Sequence, residues 1–347
     1  MLTAALRDLQ WRRQRFIIAV VATGLVFAAT LVLTGLANGF RVEAAQTVDS
    51  LRIDSYLIKS GAVGPFLGSS PFAATELETT ARLPGVNTAI PLLYSASTVS
   101  EGGSARNVNM FGVGTPGMPA LSAGRLPQNP DEIAVSSKLG RRVGDNLEIA
   151  SRSLAVVGIV GDSTALGGQP NVFLTIAGAQ RLMFGGQPLL SSIGFRGTPA
   201  EVPAGYRVIH RADAVNDLLR PVKVAYSAIT FIAVLLWIVA ALIVGSVIYL
   251  SALERSRDFA VFKAVGVSTG SVLGGLVLQA LIVAILSAVV GAVLSLALAP
   301  LFPLHVVVPG AAFLLLPVVA IVVGLLASVA GIRRAVSIDP ALAFGGP

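Results

Sequence analysis

Apolar residues fall into long unbroken runs toward both ends of the chain and into short, interrupted patches between them. Residues 264–332 contain no Asp, Glu, Lys or Arg, an uncharged run of about 69 residues, well beyond what one bilayer-crossing helix requires. Lipid offers the backbone no hydrogen-bond partners, so such a run must fold as helices that satisfy their own polar groups. Around Pro300, Pro303, His305 and Pro309 the helical periodicity breaks. This divides the run into a crossing over 271–298, an outer loop over 299–310 and a crossing over 311–330, the last expected to kink or loosen at Pro317. Residues 16–37 form an uncharged stretch of about 22 residues that spans the hydrocarbon layer at about 1.5 Å per residue. Residues 224–252, with Trp237 inside, form another uncharged run long enough to cross with some tilt. The pattern therefore predicts a membrane protein with four transmembrane α-helices and a large insert between the first and second.

The insert, 38–222, has a different texture. Residues 53–59 alternate like a strand, and 75–83 carry helix-like acidic and apolar spacing that stops at Pro84-Gly85. Residues 87–99, 107–113, 131–135, 143–149 and 154–160 read as strands, with a short helix through Leu139. A mixed α/β domain is expected, large enough for its own core. The chain has no cysteine, so that core must hold without disulfides or thiolate metal sites.

Charge fixes an expected orientation. Arg7, Arg12, Arg13 and Arg15 precede the first run, Arg255, Arg257 and Lys263 lie between the second and third, and Arg333 and Arg334 follow the fourth. By the positive-inside rule the amphipathic segment 1–15, the segment 253–267 and the tail 331–347 are cytoplasmic, and the nearly neutral insert is extracytoplasmic. The net charge of +7 is thus a signature of topology, and it removes the nucleic-acid reading that a basic chain invites. The first run is longer than the apolar core of a cleaved signal peptide, usually about 7–15 residues, so an uncleaved anchor is expected.

Candidate chemistry is sparse. No Gly-x-x-x-x-Gly-Lys-Ser/Thr phosphate loop occurs, so nucleotide hydrolysis by that route is not expected. His210 and His305 stand apart with no metal-ligand spacing, and Asp162-Ser163-Thr164 reads as a turn rather than a nucleophile. No ionisable group falls within the four runs, which disfavours ion-coupled transport. Gly274, Gly275, Ser287 and Gly291 are small residues that would permit close helix packing.

The segment 253–267 is the most suggestive. On a helix, Arg255, Phe259 and Phe262 share one side, Glu254 can meet Arg257, Arg255 can meet Asp258, and Gly266 supplies a stop. Such a helix could lie on lipid headgroups, or it could seat two aromatic anchors in a cytosolic partner.

Glu254-Arg255, Arg257-Asp258-Phe259-Ala260-Val261 and Lys263-Ala264-Val265-Gly266 resemble the inner-loop signature of the FtsX-like permease family, which includes MacB-type and LolC/LolE-type transporters. The tail, with Arg333-Arg334 and Ile338-Asp339-Pro340-Ala341-Leu342-Ala343-Phe344, is similar to that family's C-terminal pattern. Gly124-Arg125-Leu126-Pro127, Asp131-Glu132-Ile133-Ala134, Val143-Gly144-Asp145 and Val156-Val157-Gly158-Ile159 resemble its exported MacB-like core domain. Asp258 departs from the family, where Glu is more frequent.

The resemblance implies a non-enzymatic permease subunit in a bacterial cell membrane that transmits ATP-driven motion to its exported domain. A cytosolic ABC ATPase on a separate chain would hold ATP and magnesium, this chain binding no cofactor, and would dock on Glu254, Arg255, Arg257, Asp258, Phe259, Phe262 and Lys263. Arg333, Arg334, Asp339 and Pro340 would form the cytoplasmic tail motif. A second permease, identical or not, would complete the dimer, and a periplasmic adaptor is a further family partner. The alternative is an FtsX-type mechanical regulator of a cell-wall hydrolase.

Overall fold

A computed structural model describes residues 13–101, 104–254, 269–302 and 304–336. The chain divides into two compact units, one of Met1–Asn38 with Tyr226–Pro347, the other Gly39–Ala225.

The first unit is helical. Helix α1 (Arg13–Ser50) begins in it and runs 38 residues without a break, about 57 Å at the standard rise. Its apolar part holds Thr30 and Thr34, whose hydroxyls donate to the carbonyls of Val26 and Thr30, so neither needs another partner. Among the described residues three helical stretches are long and apolar enough to cross a membrane: Phe16–Ser50, Lys223–Ile243 and Leu281–Leu301. They belong to α1, to α5 (Lys223–Glu254) and to α6 (Thr269–Leu298) with the turn after it. A fourth helix, α7 (Gly310–Val336), has the shorter apolar stretch Gly310–Val319 and continues through Pro317.

Close packing of α1 against α6 depends on two glycines. A Cβ added at Gly24 of α1 would meet Val290 Cγ1 at 2.7 Å, and one at Gly291 of α6 would meet Phe27 Cβ at 2.6 Å. The two backbones therefore approach closely where small residues face each other. Ser287 is buried beside this crossing, whereas Gly274 faces open space, so of these two small residues only Ser287 is in a packed position. The 299–310 connection is tied to α1: Asn38 Nδ2 donates to the Val307 carbonyl at 2.9 Å, and the Val307 amide donates to the Gly35 carbonyl at 3.0 Å.

The second unit is a mixed α/β domain. Its sheet follows the order β13-β1-β12-β3-β4-β10-β6-β8-β5, with β7 and β9 on side branches. The strands are β1 (Ser55–Lys59), β3 (Val86–Glu101), β4 (Ser104–Val113), β5 (Leu121–Gly124), β6 (Glu132–Ser136), β7 (Asn146–Ile149), β8 (Arg152–Val160), β9 (Thr164–Ala165), β10 (Gln169–Leu174), β12 (Ser192–Gly197) and β13 (Tyr206–His210). A separate pair joins β2 (Phe72–Ala73) to β11 (Leu189–Leu190). β10 runs parallel to β4 and β6 parallel to β8; the other pairings are antiparallel.

Alternation along the central strands explains their apolar character. Phe111, Ala134 and Phe173 enter one core, while their neighbours Met110, Ile133, Val135, Val172 and Leu174 enter another. The sheet is thus buried on both faces, which gives near-continuous apolar runs rather than a clean alternation. Helices α2 (Glu76–Ala81), α3 (Ile176–Phe184) and α4 (Arg211–Leu219) complete the domain. Helix α3 is capped at both ends: Thr175 Oγ1 accepts from the Gly178 amide, and Gly185 closes it with φ of 61°.

Candidate functional site

The sequence ends the first apolar run at Ala37, but the helix continues to Ser50, well into the mixed domain. Two sets of side chains at helical spacing account for this. Phe40, Ala44, Val48 and Leu51 recur every three or four residues and are all buried, the last three in the core that also contains Phe66, Tyr94 and Phe111. Glu43 and Thr47, four residues apart, share an adjacent face that meets the β9–β10 hairpin.

Glu43 is 3% exposed. Its carboxylate accepts from Thr164 Oγ1 at 3.2 Å, from the Gly167 amide at 3.2 Å and from the Gly168 amide at 3.0 Å. The hairpin tip presents those amides because Leu166, Gly167 and Gly168 all take positive φ, 54°, 81° and 83°. The tight turn points the Gly167 and Gly168 amides at one acceptor, an anion-binding concavity in which the anion is a side chain of the same chain. Glycine carries two of the three positions at little cost, while Leu166 is strained and needs its surroundings to hold it.

One turn further on, Thr47 Oγ1 donates to the Thr164 carbonyl at 2.9 Å and accepts from Asn171 Nδ2 at 3.0 Å. Asn171 Nδ2 also reaches Ser163 Oγ at 3.0 Å, while Asn171 Oδ1 accepts from Asn109 Nδ2 at 3.1 Å. Tyr94 OH donates to Asn109 Oδ1 at 2.9 Å. Asn109 and Asn171 are fully buried on the adjacent parallel strands β4 and β10. A satisfied polar network thus runs from the helix through the hairpin to the centre of the sheet, an arrangement that specifies one geometry. Burial, followed by the negative charge of Asp217, pushes the Tyr94 phenol well above its ordinary range, which keeps it a donor. Ser163 serves in this network and Asp162 accepts from Ser137 Oγ at 2.8 Å; the expected turn is confined to a bend at 161–162, and Thr164 already begins β9.

A second tie lies at the end of α1. Arg211, the first residue of α4, forms a two-pronged pair with Asp49, with Nη2 at 2.7 Å from Oδ2. Both side chains are half-exposed, so this pair orients the helix more than it stabilises it.

The motif around Arg125 is a clasp. The guanidinium meets both Glu132 carboxylate oxygens, and the Gln128 and Asn129 amides and Asn129 Nδ2 add three donors. The Arg125 hydrogen bonds and then the Gln128 amide hold the Glu132 carboxyl far below its ordinary range. Asp131 accepts from Arg181 at 3.2 and 3.3 Å, linking the same turn to α3. His210 Nδ1 shares a 2.9 Å hydrogen bond with Ser55 Oγ, and His305 is exposed.

The sequence-based coupling residues fall at or beyond the limits of the described structure. Glu254 ends α5, and Arg333 and Arg334 lie in α7. Arg255, Arg257, Asp258, Phe259, Phe262, Lys263, Asp339 and Pro340 lie outside the described residues. The Glu43–Thr47 joint was missed by the sequence reading. Its signal was there in the Phe40, Ala44, Val48, Leu51 stripe, which continues helical periodicity past the last fully apolar turn.

Two family descriptions match this chain: the MacB-like periplasmic core domain over residues 16–204 and the FtsX-like permease C-terminal region over 230–340. ABC transporter permeases of Mycobacterium bovis and of Mycobacterium tuberculosis H37Rv are each 64% identical to it over 349 residues, covering 100% of both chains. A second permease of Mycobacterium tuberculosis H37Rv is 59% identical over 349 residues, again covering 100% of both chains. Among solved structures, the periplasmic region of MacB from Actinobacillus actinomycetemcomitans is similar with a TM-score of 0.35 and 13% identity, covering 50% of this chain and 96% of that one. The extracellular domain of YknZ from Gram-positive bacteria aligns with a TM-score of 0.35 and 12% identity, covering 46% and 99%. On the family matches and the full-length relatives, the chain belongs to the FtsX-like, MacB-type ABC transporter permeases.

Proposed function

We propose that this chain is the permease half of an ABC transporter whose ATPase is a separate cytosolic protein, and that it carries ATP-driven motion to an extracytoplasmic domain that exports or handles a substrate. The observation that carries this reading is the first helix. It is continuous from its apolar part into the mixed domain, and its extension is fixed there by Glu43, Thr47 and the apolar stripe rather than by a flexible linker. An unbroken helix whose last turns are packed inside the mixed domain suits transmission of force. The uncharged crossings fit the same role, since an ion path needs ionisable groups at depth.

In this reading α7 forms the fourth crossing of a multi-pass plasma-membrane protein, residues 38–222 face outward, and segment 253–267 with the Arg333-Arg334 tail faces the cytosol. Only 11% of the apolar window of α5 is buried within the chain. That exposure leaves a face for lipid and for a second permease. ATP and magnesium reside on the partner ATPase, which docks on Glu254, Arg255, Arg257, Asp258, Phe259, Phe262 and Lys263.

Co-purification tests the reading. The chain alone should hydrolyse no ATP, and a tagged chain should retain its ATPase. Truncating a buried aromatic anchor costs about 2 kcal/mol or more of binding. Phe259→Ala or Phe262→Ala should therefore release the ATPase while leaving membrane insertion intact. Retention of the ATPase by both variants would place the segment on lipid headgroups instead, and hydrolysis by the permease free of any ATPase would overturn the division of labour.

A further inference from the structure

We infer that the loop 60–68 is a lipid-contacting foot of the mixed domain, with Val63 and Leu67 seated in the headgroup layer of the bilayer. Its position follows from the strands it adjoins. β13 pairs antiparallel with β1, so that Lys59 opposes Tyr206 and Ser55 opposes His210. Helix α4 leaves β13 at His210 and turns back along it, which brings its last turn beside the loop that follows Lys59. There Asp217, 2% exposed, accepts from the Phe66 amide at 2.8 Å and the Gly68 amide at 3.0 Å. Phe66 points into the core, edge-on to Tyr56, Tyr94 and Phe111, so the loop is held from both sides.

Val63 and Leu67 nevertheless face out, 55% and 36% exposed. Among the described residues 39–222, the exposed large apolar side chains are these two, Val143 and Val202. Val202 lies three residues before Gly205, whose carbonyl accepts from the Ser60 amide at 2.9 Å, so it sits at the same end of the sheet. Three of these four exposed apolar groups are therefore gathered at one end of the domain, with Val143 apart from them beside Gly124.

That end is where the chain enters the second candidate crossing. From Asp217 the backbone passes through successive turns, with the Arg220 amide on the Asp217 carbonyl and the Lys223 amide on the Arg220 carbonyl, directly into α5. The loop therefore lies, along the chain, within a few turns of the start of α5. Interfacial segments bury their apolar side about 5–10 Å into the headgroup boundary. The exposed Lys223, and Arg220, whose guanidinium is 3.7 Å from the Asp217 carboxylate but has 48% of its side chain exposed, flank the loop and suit anionic lipid phosphates. Continuity with the crossing and this cationic rim select lipid as the occupant.

The inference rests on the membrane placement proposed above, and the test separates the two. The chain has no native cysteine, so Val63→Cys, Leu67→Cys, Val143→Cys and Val234→Cys each give one site for an environment-sensitive NBD label in the full complex in nanodiscs. Headgroup-spin-labelled lipid should quench positions 63 and 67 about threefold more than position 143, and aqueous iodide should quench them less. Equal lipid quenching at 63, 67 and 143 would overturn the inference. So would shielding of 63 and 67 from both quenchers, which would mean that a protein covers the loop. Failure of deep-lying spin-labelled lipid to quench position 234, inside the second apolar stretch, would refute the membrane placement itself.

Discussion

Removing the Glu43 carboxylate should loosen the hairpin at 164–168 while leaving the rest of the domain closed. In Glu43→Ala the half-buried Gly167 and Gly168 amides lose their acceptor, and the Thr164 hydroxyl can rotate to another partner. An orphaned buried donor costs about 1–3 kcal/mol, and water can reach these two in part, so together they give roughly 2–3 kcal/mol. Relief of the carboxylate's own desolvation returns part of that. A net local cost of about 2 kcal/mol corresponds to about 30-fold faster amide exchange at the hairpin. Hydrogen–deuterium exchange resolved to residues 164–170 reads this directly, with α4 as the internal control expected to stay unchanged. Glu43→Gln keeps the volume and one acceptor oxygen and should fall between wild type and alanine. Exchange at Gly167 and Gly168 that rises less than threefold in Glu43→Ala would show that the strained tip does not depend on the helix.

Gly291→Leu should prevent α1 and α6 from closing, because its Cβ would lie 2.6 Å from Phe27 Cβ; Gly274→Leu, in open space, should not, and folded yield in detergent distinguishes them. Burial raises the Asp217 carboxyl above its ordinary value of 3.8, so its contribution to stability is present below that value and is lost as pH rises through the raised one. Denaturation of wild type against Asp217→Asn should show this slope, and Glu132→Gln should show the opposite one, since the lowered Glu132 contributes above its ordinary value of 4.5 and loses that as pH falls. Single cysteines at Ser104 and Ser256 should label from outside intact cells at the first site only, and labelling of the second alone would reverse the proposed orientation.

The long apolar helices were legible because an uncharged run of sufficient length has few folds open to it; among the described residues three of the four expected runs hold such a helix, and the fourth holds the shorter Gly310–Val319. Within the domain, strands were legible where alternation or β-branched runs were strong. The segment 87–99 is a strand extended to Val86–Glu101, and 107–113 lies within Ser104–Val113. The stretch 143–149 shrank to Asn146–Ile149 because Gly144 takes φ of 98° and the chain turns there. The extension of α1 was legible in the Phe40, Ala44, Val48, Leu51 stripe, but the contacts of Glu43 were not, since nothing local tells it from a solvated helix carboxylate. Its partners lie more than 120 residues away, on a hairpin defined only by sheet pairing. The exposed Val63 and Leu67 were equally silent, because their meaning comes from the turn that brings Asp217 beside them.

The central claim is that nucleotide binding on a separate ATPase moves the mixed domain through α1. Pulsed electron paramagnetic resonance on the reconstituted complex, with one spin label at the exposed Asn146 of each paired permease, measures that movement. The account expects the distance distribution to shift between the nucleotide-free and the ATP-bound complex, and the shift to shrink when Glu43→Ala and Thr47→Val are combined although the ATPase still hydrolyses. An unchanged distribution in the wild-type complex, at full hydrolysis rate, would contradict it.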